Sequence, residues 1–201
     1  MKEDILEQVV DDYLQAKGYF TRHNVKFRPD ENGAGYERKA DCVRSDIDVV
    51  GVNPLLQGAD RVWAVSCKSW QGGFRVASQL SSLELDKTRS GRKSWKSYRE
   101  LMIPKWSDAF CEEVFRLTGS KSFTYVTAVT RLSGDRAIWE NCERFRKALR
   151  GNPIKLISLD EMVSEVLPSI TRTPSSSELG RTLQLLKAAG VLPRASTGTQ
   201  T

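Results

Sequence analysis

After Asp4 the apolar residues Ile5, Leu6, Val9, Val10, Tyr13 and Leu14 fall on one stripe at helical spacing, and Gly18 follows as a stop. That pattern predicts an amphipathic helix capped by Asp4. Residues 19–27 predict a strand, and Pro29 to Gly35 a turn-rich loop. Two β-branched and aromatic runs follow, 45–52 and 61–68, separated by Asn53-Pro54 and Gln57-Gly58, which predicts a hairpin-like strand pair. After Gly72-Gly73 the period changes to helical, with Leu80, Leu83 and Leu85 expected to face inward. Pro104 opens a second helix with Trp106, Phe110, Val114 and Leu117 at helical spacing, ended by Gly119. Residues 123–129 (FTYVTAV) predict a buried strand, 135–149 a helix, 154–157 a short strand and 159–167 a helix. This order predicts an α/β body in which helices flank a mixed central sheet.

Residues 1–168 form the expected main domain. A Ser, Thr and Pro-rich stretch at 169–176 reads as a linker. Residues 177–192 read as a C-terminal helix with Leu179, Leu183 and Leu186 on one face, packing on the body or on a second copy, and 193–201 as a disordered tail. With 39% hydrophobic and 28% charged residues, the chain can build a core. Its longest uncharged stretch, 49–59, has 11 residues and includes Asn53, Pro54 and Gln57, too short and polar for a membrane span of ~20 apolar residues. The start MKEDILEQ carries two acids where a signal peptide needs a positive end and an apolar run, which points to the cytoplasm. Cys42, Cys67, Cys111 and Cys142 show no C-x-x-C pair, so they are expected to be reduced core thiols rather than a zinc site.

Charge sharpens the picture. The formal net charge is +6, and the segment from Lys87 to Lys105 holds seven basic residues and one acid, Glu100, so the remaining residues sum to zero. Arg89, Arg92, Lys93, Lys96 and Arg99 are interleaved there with Trp95 and Tyr98. Cations contact phosphates and aromatic rings stack on exposed bases, so the mixture suits nucleic acid. The alternative is a solvated surface whose Trp95 and Tyr98 face the core.

The chemistry-bearing pattern is a carboxylate on one strand and a lysine at the end of the next. Asp48 lies in DIDVVGV and Lys68 closes VWAVSCKSW. Residues facing alike on neighbouring strands lie about 5–8 Å apart. A carboxylate can hold a divalent cation that polarises a phosphate, while an ammonium orients the attacking water or steadies developing charge. Each residue also has a plainer explanation. Asp46 and Asp48 can be solvent-facing alternation opposite Ile47 and Val49, Glu7 stands at capping-box spacing from Asp4, and Lys68 can be an exposed strand terminator. His23, the single histidine, is read as structural.

Residues 3–80 resemble the PD-(D/E)XK nuclease superfamily and, within it, Mrr-like restriction endonucleases. Glu7 lies eleven residues before Gly18-Tyr19, Asp48 precedes Val49-Val50, and Ser66-Cys67-Lys68 falls at the (D/E)-x-K position. The resemblance implies a restriction-endonuclease-like fold and a metal-dependent DNA endonuclease using Mg²⁺ or Mn²⁺. In that scheme Asp48 is the main ligand, Glu7 and the Cys67 carbonyl supporting ligands, and Lys68 the residue acting on water. Ser66 departs from the pattern, because a hydroxyl is a weak ligand for a hard cation. Either another acid, Glu84 or Asp86, fills the gap, or the domain binds nucleic acid or assembles without cutting. DNA is the expected partner, with RNA not excluded; cutting both strands makes a homodimer the natural assembly.

Overall fold

The computed structural model describes residues 4–89, 91–169 and 177–192. Helix α1 (Ile5–Ala16) starts where Asp4 Oδ1 accepts from the Leu6 N–H and stops before Gly18, whose φ of +83° suits glycine. Strand β1 (Phe20–Phe27) pairs antiparallel with β2 (Ser45–Val52), and β2 antiparallel with β3 (Val62–Lys68). The chain then crosses through α2 (Val76–Glu84) and α3 (Pro104–Thr118) to β4 (Thr124–Val129), which lies parallel to β3. Helices α4 (Arg136–Glu140) and α5 (Glu143–Ala148) lead to β5 (Ile154–Ser158), parallel to β4. The sheet order is β1-β2-β3-β4-β5, mixed and flanked by helices on both faces, which is the α/β class expected.

Two cores sandwich this sheet. Leu6, Val9, Val10, Tyr13 and Leu14 of α1, with Met162 of α6 (Leu159–Val166), cover Val49, Trp63, Val65, Val126 and Ala128. Gly51 permits that contact, since a Cβ there would come 3.1 Å from both Leu14 Cδ1 and Tyr19 Cδ1. On the other face Phe74, Tyr98, Trp106, Phe110, Trp139 and Phe145 pack over Ile47, Val50, Val62, Ala64 and Tyr125. Every residue of β4 is buried, as befits a strand with parallel neighbours on both sides.

Several sequence expectations need correction. The helix expected over 135–149 is two helices, broken at Asn141-Cys142, where Glu140 turns its carboxylate to accept from the Leu156 N–H at 2.8 Å. Leu85, expected to face inward, is exposed, because α2 ends at Glu84 and Asp86 takes a φ of +46°. The cysteines are free, but Cys42 is exposed and Cys67 and Cys142 are only half-buried, leaving Cys111 as the core thiol. Most of the expected linker and the tail from residue 193 lie outside the described residues. Helix α7 (Glu178–Ala188) docks on the body: Ser177 Oγ donates to Asp12 Oδ2 at 2.7 Å, and Lys187 Nζ donates to the Leu167 carbonyl at 3.1 Å. No helix among the described residues is long and apolar enough to cross a membrane.

Lys105, counted with the basic segment, serves the fold. Its ammonium lies 2.6 Å from Asp41 Oδ2 and donates to the Gly35 carbonyl at 2.8 Å. Trp106 Nε1–H donates to Asp41 Oδ1 at 3.1 Å, and Asp41 is 1% exposed. Burial raises the Asp41 pKa, but the hydrogen bonds from Lys105, the Glu37 N–H and Trp106 outweigh it and hold the carboxyl below its ordinary value. Removing one partner of a buried ion pair strands the other charge. Lys105→Ala is therefore expected to cost about 3 kcal/mol in chemical denaturation.

Candidate functional site

The site begins where two strands part. The β2–β3 ladder runs from Val52–Val62 to Val49–Val65, while β2 keeps pairing with β1 as far as Ser45–Phe27 and β3 with β4 as far as Lys68–Val129. A fork opens between β2 and β3 at Asp48. Opposite Asp48 on β1, between the pairs His23–Val49 and Val25–Ile47, Asn24 takes a φ of +52°. That left-handed residue kinks the ribbon, and asparagine is one of the few side chains that tolerates it. As a result Ile47 and Val49 belong to cores on opposite faces of the sheet. The simple alternation expected for Asp46, Ile47, Asp48 and Val49 is broken at Asp48. Beyond the last β2–β3 pair, Asp48 Oδ2 accepts the Cys67 N–H at 2.5 Å, so a carboxylate takes over from the ladder.

Glu7 approaches this fork from α1. It makes no return bond to the Asp4 backbone among the described residues, so the helix cap is one-sided and the Glu7 carboxylate is left for the fork. Asp4 also accepts from Ser69 Oγ, tying the start of α1 to the residue after Lys68. Burial first, then the nearby charges of Asp48, Asp4 and Asp46, push the Glu7 pKa up to about 7, with His23 opposing. Burial likewise raises Asp48 to about 6; Lys68 and the Cys67 N–H pull it down, and Asp46 and Glu100 push it up. Two carboxylates held together with too little positive charge between them mark a place where a cation is favourable. The Cys67 thiol is driven well above its ordinary pKa by burial and then by Asp48 and Glu7, so without a metal it stays protonated near neutral pH.

Lys68 leaves the end of β3 half-buried. Its ammonium donates to Ser66 Oγ at 2.8 Å and lies 5.2 Å from the centroid of the Tyr98 ring. Among the described residues it is thus held by a hydroxyl and a ring face, with Asp48 acting on it through space. The sequence-level candidates Glu7, Asp48, Ser66, Cys67 and Lys68 are brought together.

Neither acid proposed to replace the one missing at position 66 takes that place. Glu84 is exposed at the end of α2, and Asp86 pairs with Lys93 at 2.7 Å. A different, buried acid, Glu100, acts on Asp48 through space. It is 6% exposed, accepts from the Tyr125 hydroxyl at 2.5 Å, and raises the Asp48 pKa. Its sequence signal was weak but present, as the lone acid of a basic segment placed between Tyr98 and the apolar Leu101-Met102.

For a divalent ion, Asp48 and Glu7 offer the hard oxygen donors such an ion prefers. No three His, Cys, Asp or Glu side chains are gathered as a metal cluster among the described residues. The set of Asp48, Glu7 and the Cys67 carbonyl contains two such side chains. That is compatible with Mg²⁺, which commonly takes one or two carboxylates and completes its shell with water and substrate phosphate.

The basic segment is divided between surface and core. Thr88–Arg89 and Arg92–Lys93 form a short hairpin turned at Gly91, whose φ is +75°. Lys87, Lys93 and Lys96 are exposed, although Lys93 is shared with Asp86. Arg99 lies 4.7 Å from the centroid of the Trp106 ring system. Trp95 is half-buried against the core, with Lys96 Nζ 5.9 Å from its ring. Tyr98 is 1% exposed, set edge-on to Trp70 and Trp139, so it serves the core and Lys68 rather than a stacking surface. His23 Nε2 lies 3.1 Å from Asp11 Oδ1.

No family model, curated protein or solved structure matches the chain. The geometry therefore stands on its own.

Proposed function

We propose that this protein is a divalent-metal-dependent deoxyribonuclease, hydrolysing phosphodiester bonds at the fork between β2 and β3. The observation that carries this is a half-buried carboxylate, Asp48, whose charge helps to raise the pKa of Glu7, beside an ammonium, Lys68, that no described carboxylate neutralises directly. A bound Mg²⁺ or Mn²⁺ would polarise the phosphate and acidify water. Asp48 and Glu7 would hold the ion, and Lys68, steadied by Ser66 and Tyr98, would present its N–H groups to the attacking water or to the developing negative charge. Ser66 is too weak a donor to serve as a principal ligand. The exposed Lys87, Lys93 and Lys96, together with Arg89 and Arg92, would hold the phosphate backbone of DNA in the cytoplasm. A homodimer would supply a second site for the other strand.

The test is incubation of supercoiled and linear DNA with and without Mn²⁺. Wild type is expected to cut only with the ion, and Lys68→Ala to lose at least about a hundredfold in rate. Cleavage surviving that substitution would overturn the site.

Binding is tested separately. Replacing Arg92, Lys93 and Lys96 with Gln is expected to weaken DNA affinity and reduce the salt slope by about 2, since each phosphate contact contributes ~0.9 and Lys93 is already shared with Asp86. Unchanged affinity would remove the segment from the interface. The second reading, a nucleic-acid-binding or assembly domain that does not cut, is favoured by the absence of a three-acid cluster among the described residues. Binding without Mn²⁺-dependent cleavage on any nucleic acid would select it.

A further inference from the structure

Ser66 has more to do than fill the place of an acid. A hydroxyl can donate one hydrogen bond and accept two, an ammonium can only donate, and a phenol can do both. Lys68 Nζ donates to Ser66 Oγ at 2.8 Å, and the Tyr125 hydroxyl donates to Glu100 Oε1 at 2.5 Å. The two links lie side by side. Tyr125 pairs with Ala64, two residues before Ser66 on β3, and both Tyr125 and Ala64 face the same core. Side chains two apart on a strand share a face, so Ser66 is the diagonal neighbour of Tyr125. Burial, then the charge and hydrogen bond of Glu100, drive the Tyr125 phenol well above its ordinary pKa, and the Ser66 hydroxyl acts against them, in the sense a donor to the phenol oxygen would. Ser66 is 7% exposed, Tyr125 fully buried and Glu100 6% exposed, so water competes little for these groups.

We infer that Lys68 is positioned by a one-way chain of donors, from its ammonium to the Ser66 hydroxyl, to the Tyr125 phenol, to the buried carboxylate of Glu100. Every group in it can play its part without a change of protonation. The phenol gives its proton to Glu100, which leaves its oxygen free to accept; Ser66, having accepted from Lys68, has a proton to give. An ionised Asp or Glu at position 66 would accept from Lys68 but could not donate to Tyr125. It would also set a second carboxylate beside Glu100 with only a phenol between them. Serine at 66 and glutamate at 100 therefore belong together, the negative charge displaced by two hydroxyls from the cation it balances. The ammonium is oriented but not capped by a direct ion pair, and its charge stays available to a phosphate. That last consequence rests on the nuclease reading; the chain itself does not. Ser66, Tyr125 and Glu100 are in this sense positioning residues for Lys68.

The experiment reads the Lys68 ammonium directly, in ¹⁵N-labelled full-length protein without metal or DNA, with its Nζ–H signal assigned by Lys68→Arg. Ser66→Ala and Tyr125→Phe are each expected to speed hydrogen exchange of that ammonium by about an order of magnitude, the scale of one hydrogen bond to a charged group. The double variant should be no faster than either single, and Ser66→Thr should restore the wild-type rate. Backbone amide spectra establish that each variant is folded. Should Tyr125→Phe not fold, the Tyr125 hydroxyl proton is followed instead in Ser66→Ala, where a shifted or lost signal supports the chain and an unmoved one overturns it. Lys68 exchange unchanged in Tyr125→Phe, or additive effects in the double variant, would also overturn it. A chain confirmed in a protein that cuts no DNA would refute the nuclease reading alone, and cleavage with no chain would refute this inference alone.

Discussion

Asp48→Asn is expected to lower Mn²⁺-dependent cleavage by at least about a hundredfold, since a metal's Lewis-acid contribution of several kcal/mol is lost at tenfold per ~1.4 kcal/mol. The fold should survive or gain. Asparagine keeps an oxygen that can accept from the Cys67 N–H, the one hydrogen bond to the Asp48 carboxylate among the described residues. What it removes is a charge that burial disfavours. The Asp48 pKa rises from 3.8 to about 6 on folding. The native state therefore holds the Asp48 proton more tightly than the unfolded chain does. The associated stability is complete below 3.8, the unfolded value, and is lost as pH rises through about 6. At pH near 8 the ionised carboxylate costs on the order of 3 kcal/mol, and Asn relieves that cost. Loss of activity together with an unchanged or higher unfolding midpoint is the signature of a residue kept for chemistry. A fall in both would mark Asp48 as structural. Thermal unfolding and plasmid cleavage on the same preparation distinguish the two.

The second large effect is a metal response that depends on pH. A divalent ion binds the ionised carboxylates, so it competes with the protons that Asp48 and Glu7 retain up to about 6 and about 7. Without metal, both groups make stability decline as pH rises through those values. With metal, the ionised pair is compensated. The rise in Tm on adding Mn²⁺ should be small near pH 5.5 and largest near pH 8. At a concentration of 100 Kd, linkage gives about 2.7 kcal/mol, or roughly 5–10 °C for a chain of this size. Glu7→Gln should reduce that rise and move its midpoint to lower pH, because one of the two titrating acids is gone. An equal Mn²⁺ shift at both pH values, or one that persists in Asp48→Asn, would place the ion elsewhere.

How far the sequence could be read follows from the range of the interactions involved. Helix α1, with its Asp4 cap and Gly18 stop, and β2, with its bounds at Ser45 and Val52, are set by neighbours within a few residues, and both are legible. The meeting of Asp48 and Lys68 was also legible, because it depends on strand order, whereas Glu7 reaches the fork from a helix. The fork itself was not. Alternation along 46–49 presumes a regular strand, and the kink comes from Asn24 on the adjoining strand, whose left-handed φ no periodicity reveals. Glu100 was missed for a similar reason. It is 32 positions beyond Lys68, and only the packing of Tyr98 against Trp70 and Trp139 brings its turn back beneath β3 and β4. Interleaved cations and aromatics suggested one continuous nucleic-acid surface. In three dimensions the aromatic residues turn inward and most of the described cations outward, since burying a ring is favourable and burying an ammonium is not.

The central claim is that the fork between β2 and β3 is a cation site bounded by Asp48, Glu7 and Lys68. Its most direct test is crystallographic, with protein crystals soaked in Mn²⁺ near pH 8 and anomalous differences collected at the manganese edge. A peak is expected within about 2.0–2.4 Å of an Asp48 carboxylate oxygen, with Glu7 turned toward it and Lys68 alongside but not coordinated. A fork without a peak, with Lys68 folded onto Asp48 as an ion pair while manganese binds elsewhere, would contradict it.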